Sequence, residues 1–61
     1  MTLTVEKAST LRGFIAGLGE EVLYAYDSRA VGVVVNGKRL WDSARLAPED
    51  RVTVFPVIVG G

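Results

Sequence analysis

Leu3 and Val5 alternate with Thr2, Thr4 and Glu6, a period of two that predicts a half-buried strand over residues 1–6. The period then changes. Leu11, Phe14, Ile15 and Leu18 fall on one face at helical spacing. Ser9 or Thr10 is suited to cap such a helix by accepting a bond from a free backbone N–H, and Gly19 is placed for a left-handed C-terminal cap. The expected helix covers residues 10–18. Beyond it two patterns compete. Val22 and Tyr26 extend the helical stripe to Asp27, whereas Val22, Tyr24 and Tyr26 also alternate with Leu23 and Ala25, as in a strand. Gly13, Gly17 and Gly19 each cost a helix roughly 1 kcal/mol relative to alanine, so a break at Gly19 is expected.

The second half reads as sheet. Residues 30–35 are small and β-branched, Asn36-Gly37 follows, and residues 38–41 return. Asn-Gly between apolar runs predicts a hairpin, because both turn positions need positive φ. Asp42-Ser43 is expected to start a brief helical turn over residues 44–46, and Pro48-Glu49-Asp50 to turn the chain. Residues 51–55 form the last strand, with Val52 and Val54 alternating with Thr53. Pro56 has no N–H for a sheet ladder and is expected to interrupt that strand.

Length sets the scale of these elements. Sixty-one residues make one small domain, which buries only about 60% of the surface its unfolded chain exposes. The chain is 49% hydrophobic and 23% charged, a globular composition. It has no apolar run near the ~20 residues that span a bilayer and no export leader, so a cytoplasmic location, away from membranes, is the expectation. Seven basic residues balance seven acidic ones, and Lys38-Arg39 is the sole adjacent basic pair. Nucleic acid, which is held through a basic patch, is not an expected partner. Cysteine and histidine are both absent. Disulfides, thiolate metal sites, a cysteine nucleophile and the usual neutral-pH base are thereby excluded. A self-sufficient enzyme is not expected, nor is a bound metal or cofactor.

Past Pro56 the chain ends in Val57, Ile58, Val59, Gly60 and Gly61, an apolar and uncharged tail where polar fraying is the norm. Three stretches, covering about two thirds of the chain, carry a resemblance: Thr4-Val5-Glu6 through Ser9-Thr10-Leu11-Arg12; Val33-Val34-Val35-Asn36-Gly37-Lys38; and, most specifically, Leu46-Ala47-Pro48-Glu49-Asp50-Arg51-Val52-Thr53-Val54-Phe55-Pro56-Val57-Ile58-Val59-Gly60-Gly61. On these the chain resembles the ThiS/MoaD family, the ubiquitin-like sulfur carriers of thiamine and molybdopterin synthesis.

The resemblance implies an α+β, ubiquitin-like β-grasp fold, a mixed sheet packed on one helix, with residues 1–55 as the domain and 56–61 as a flexible, functional tail. It implies that the Gly61 carboxylate, reached through Gly60, is the reacting group. An E1-like adenylating enzyme would activate it with ATP, a persulfide donor would supply sulfur, and a biosynthetic enzyme would accept the sulfur from the thiocarboxylate. The carrier itself would bind no cofactor. Glycines lack Cβ atoms, so the tail can thread a narrow site, with Phe55, Val57, Ile58 and Val59 as apolar contacts to the partner. Two other readings share these residues: a protein modifier joined through Gly61 to lysines, and an interaction module that binds through its sheet face.

Other residues carry plainer expectations. Trp41 is read as a core lid after the hairpin, ahead of a partner contact. Tyr24 and Tyr26 are read as sheet packing, and Lys38, Arg39, Arg45 and Arg51 as solvated surface. Gly13, Gly17 and Gly19 lack the context of a phosphate loop and punctuate the helix. One departure from the family stands out. A single strand precedes the helix, where the family has a two-stranded hairpin whose first strand pairs parallel with the C-terminal one. Residues 2–6 are expected to take that first strand's place, ahead of a substitute strand from residues 21–26; self-association through an unpaired edge is the fallback.

Overall fold

The computed structural model describes residues 1–58. Its elements are β1 (Thr2–Thr4), β2 (Ser9–Thr10), α1 (Leu11–Gly17), α2 (Glu20–Asp27), β3 (Val31–Val35), β4 (Arg45–Leu46) and β5 (Arg51–Pro56). The main sheet has the order β1-β5-β3, and β2 and β4 form a second, two-stranded sheet. The architecture is α+β, consistent with a β-grasp. All three strand pairings among the described residues are antiparallel, where the family resemblance implies a mixed sheet.

Alternation decides which side chains enter the core. Val52 and Val54 of β5 and Val33 and Val35 of β3 point to one face and are buried with Val5, Leu11, Ile15 and Leu46. Phe14 of α1, Leu18 at its C-cap and Val22, Leu23 and Tyr26 of α2 pack around this cluster without being fully buried. The opposite face of the sheet is left to solvent.

The first strand is replaced as the sequence reading expects. β1 lies beside β5 with Leu3 opposite Val52, and the ladder continues outward, where Met1 and Val54 exchange both backbone bonds at 2.8 and 2.7 Å. β1 runs antiparallel to β5, whereas the family's first strand runs parallel to its C-terminal one.

The helical half breaks at Gly19. Thr10 caps α1, its hydroxyl accepting from the Gly13 amide at 3.0 Å. Gly19 is not a left-handed cap: its φ of +127° and ψ of +158° lie in a region open essentially to glycine alone. After it the chain is helical again, so the competing patterns over residues 20–26 resolve as α2. The protein therefore carries two helices where one was expected. Tyr24 and Tyr26 belong to α2 rather than to a sheet, with Tyr24 exposed and Tyr26 half-buried. Burial holds the Tyr26 phenol above its usual range, with Asp42 adding to the effect. A bidentate ion pair from Arg12 to Asp27 ties the two helices.

The Asn36-Gly37 turn forms, with φ of +51° and +81°, but the return strand does not. Val35 and Lys38 exchange two backbone bonds, at 2.8 and 3.0 Å, and pairing stops there. The cause lies at α1, whose first amides need partners. Leu11 N–H donates to Ala44 O at 2.9 Å and Arg12 N–H to Asp42 O at 3.0 Å, drawing residues 39–44 toward the helix. Trp41 is consequently no core lid: it is 85% exposed. The helical turn expected over residues 44–46 is instead a turn closed by Ala44 N–H to Trp41 O, followed by β4.

Pro56 does not interrupt β5 but ends it, opposite Val31. Hydrogen-bonding direction alternates along an antiparallel strand. Arg51 and Val57 bond toward β3 and Val54 toward β1, so the nitrogen of Pro56, two positions beyond Val54, faces away from β3. The β3–β5 ladder loses no donor to it.

Asn36 and Asp50 lock the start of β5. The Asn36 side chain accepts from Arg51 N–H at 2.9 Å and donates to Asp50 at 3.1 Å, while Asp50 also accepts from Ala47 N–H at 2.8 Å. The Ala47 amide first, then Asn36, holds the Asp50 carboxyl below its usual range; the Arg12 hydrogen bond does the same for Asp27.

Two outcomes test this construction. Ile15 is fully buried, and Ile15→Ala costs about 2–5 kcal/mol. That loss compares with a total near 3–9 kcal/mol for a chain of this size, at about 0.05–0.15 kcal/mol per residue, so a large drop in the urea midpoint is expected. Asp50 and Asp27 have lowered folded-state values, so the stability they contribute is present above about pH 4 and is lost as the pH falls through them. Urea midpoints measured from pH 6 to pH 2 will fall in that acid range, and Asp50→Asn will flatten part of the slope.

Candidate functional site

The outward face of β5 carries Arg51, Thr53 and Phe55, and leads directly to the tail. Thr53 faces Thr2 across the β1 pairing, their hydroxyls 3.3 Å apart. Phe55 is opposite Gly32. A Cβ on Gly32 would sit 2.5 Å from the Phe55 ring, so the absence of a side chain there is what lets the ring lie down across β3. Phe55 remains 39% exposed, half supported and half available. The sequence reading missed Gly32, although a lone glycine inside the Val-rich run at residues 31–35 is the signal of a close approach.

The tail is rooted on the sheet by one more bond. Val57 N–H donates to Ala30 O at 3.0 Å, continuing the β3–β5 register past Pro56. Val57 is partly exposed, and Ile58 is 88% exposed. Of the expected site residues, the structure thus gathers Phe55, Val57 and Ile58 at one end of the sheet. Val59, Gly60 and Gly61 lie outside the described residues. Arg45, Arg51, Lys38 and Arg39 are all exposed, as expected.

Phe55, Val57 and Ile58 themselves offer apolar contact and backbone groups. No buried polar side chain is found among the described residues, and no group of His, Cys, Asp and Glu there could hold a metal ion. No helix among them is long and apolar enough to cross a membrane. The perturbed carboxyls are held by their own partners, Asp27 by Arg12 and Asp50 by Ala47 and Asn36.

A strand that leaves a β-grasp core and continues as an apolar tail is the geometry to compare with known proteins. The family model described as ThiS family matches residues 1–61, the whole chain. The chain belongs to the ThiS family. No curated protein and no solved structure matches it. A ThiS-family protein is a small carrier rather than a catalyst, and the general role of this one is that of a sulfur carrier.

The packing of Phe55 on Gly32 can be tested directly. Gly32→Ala will push the ring off the sheet, lowering stability by about 1–3 kcal/mol. The Phe55 ring resonances will move toward solvent values, and their contacts to residue 32 will disappear from NOE spectra.

Proposed function

We propose that this ThiS-family chain carries sulfur on the carboxylate of Gly61, as a co-substrate of an E1-like adenylating enzyme. A carboxylate resists nucleophiles until one oxygen becomes part of a leaving group. The enzyme attaches that oxygen to the α-phosphorus of ATP, releasing pyrophosphate and leaving an acyl-adenylate. A persulfide sulfur then attacks the Gly61 carbonyl and AMP departs. Reductive cleavage of the resulting acyl-disulfide by a thiol leaves the thiocarboxylate. A biosynthetic enzyme of thiamine or molybdopterin formation takes the sulfur from there. ATP is bound by the partner and not by the carrier.

The observation that carries this reading is the root of the tail. Val57 makes the last described hydrogen bond to the sheet, and Ile58 is almost fully exposed beyond it. A segment of three residues can span at most about 10 Å, which bounds the reach of the carboxylate beyond Ile58. That is long enough to enter a partner's site while Phe55 and Val57 rest on its surface. Burying Phe55, Val57, Ile58 and Val59 offsets the entropy of ordering the tail. Gly60 and Gly61 need only a narrow channel.

Intact-mass spectrometry of the chain with ATP, a sulfur donor and an adenylating enzyme tests the reading. The expected product has one oxygen of Gly61 exchanged for sulfur, and deleting Gly61 or appending one residue abolishes it without altering the circular dichroism spectrum. A covalent lysine adduct in place of the exchange would make the protein a modifier. No mass change with any adenylating enzyme of its source would leave a sheet-face binding module.

A further inference from the structure

Among the described residues, strand β3 has one edge that no other strand covers. Its register with β5 directs the backbone groups of Gly32 and Val34 toward β5, and those of Val31, Val33 and Val35 the other way. Val35 is satisfied by Lys38. Val31 and Val33 have no hydrogen-bond partner on that side among the described residues. The chain that could have paired with them, residues 39–42, is held off by the bonds from Asp42 and Ala44 to the first turn of α1. What remains between is a groove of about 900 Å³, bordered by Val31, Val33, Tyr26, Leu40, Trp41 and the two arginines Arg29 and Arg39. It occupies the position a further strand of the sheet would take.

The groove has a definite chemistry. Its backbone edge demands an extended segment, since only a strand presents donors and acceptors at the spacing of Val31 and Val33. Its apolar border includes an exposed Trp41, the residue type that most often anchors a protein contact. Its charge is biased. Asp27 is taken up by Arg12, leaving Arg29 and Arg39 against Asp42 alone, and neither arginine has an ion-pair partner among the described residues.

Arg29 adds an independent observation. It follows Ser28, the residue that caps α2, and lies in the left-handed region at φ +64°. Its N–H donates to Tyr26 O and that of Ala30 to Ala25 O, at 3.2 and 2.9 Å. This is the helix-ending arrangement that glycine ordinarily fills, because a Cβ is strained there. An arginine kept at that cost, with its side chain on the rim of an open strand position, argues that the side chain is used.

We propose that the groove between β3 and residues 39–42 is a docking site for an extended acidic–aliphatic segment of a partner protein, which adds to β3 as a new strand. Alternate aliphatic side chains of the segment meet the apolar border, and its carboxylates meet Arg29 and Arg39. The proposal uses no atom of the tail beyond Val57 and no adenylation chemistry, so it stands or falls separately from the carrier reading. Phe55 and Val57 border one end of the groove, so a docked segment lies beside the root of the tail.

The test is a titration of the ¹⁵N-labelled full chain with an acetylated, amidated heptapeptide alternating valine and glutamate. The expected result is saturable downfield movement of the Val31 and Val33 amides, with new protection from hydrogen exchange. The same peptide with lysine for glutamate, or with three consecutive central amides N-methylated, binds at least about tenfold more weakly. Arg39→Glu and Trp41→Ala weaken binding by a similar factor. Arg29→Gly separates use from structure, because it retains or raises the melting temperature while weakening the peptide several-fold. Failure of Val31 and Val33 to respond at peptide concentrations on the order of millimolar, or equal binding of the N-methylated peptide, overturns the proposal. So does movement of the same amides with protein concentration alone, which assigns the groove to a second copy.

Discussion

Strand β5 pairs on both edges, with β1 through Leu3–Val52 and with β3 over five consecutive register positions, while Val52 and Val54 enter the core from its inner face. A central strand bonded on both sides cannot shift register without moving every side chain to the wrong face. The rest of the molecule inherits its position from that lock. α1 lies across the inner face and supplies Leu11 and Ile15 to the same cluster. The outer face, left to solvent, ends in Phe55 and continues as the tail.

The strand that holds the core together is therefore also the one that delivers the carboxy-terminal segment. A reactive group at the end of a loose chain needs a rigid root if a partner is to find it in one place, and the pairing of Pro56 with Val31 and of Val57 with Ala30 supplies one. The proline is tolerated because its nitrogen faces away from β3, so the β3–β5 ladder loses no donor. Gly32 completes the arrangement by letting Phe55 lie flat against β3, an exposed aromatic on a fixed platform rather than a free ring.

The demands of α1 shape the opposite edge. Its first amides take Asp42 and Ala44 as acceptors, and a return strand that would have covered β3 is reduced to the single Val35–Lys38 bridge. One set of hydrogen bonds satisfies a helix end and opens a sheet edge. The exposure of Trp41 and the groove beside Val31 and Val33 have the same origin.

Much of this was legible in the residues. Period-two alternation marked β1 and β5, the stripe from Leu11 to Leu18 with Thr10 ahead of it marked α1, Asn36-Gly37 marked the turn, and the stretch from Leu46 to Gly61 marked the family. These are local signals, written in the spacing of apolar side chains and the φ preferences of a few residues. The helical state of residues 20–27, the fate of residues 38–41 and the position of Trp41 were not legible. Each depends on which distant group satisfies a backbone amide or covers an apolar face: the core beneath α2 for Val22 and Tyr26, the first turn of α1 for Asp42 and Ala44. The direction of β1 against β5 was not fixed by pattern: the resemblance implied a parallel neighbour and the structure has an antiparallel one, since either direction of pairing would place Leu3 over the core. The sequence by itself determined β1, α1, β3, β5, the turn and the apolar tail. Only the tertiary structure decided the direction in which β1 would pair and which edge would stay open, because hydrogen-bond partners far apart along the chain are chosen by packing and not by pattern.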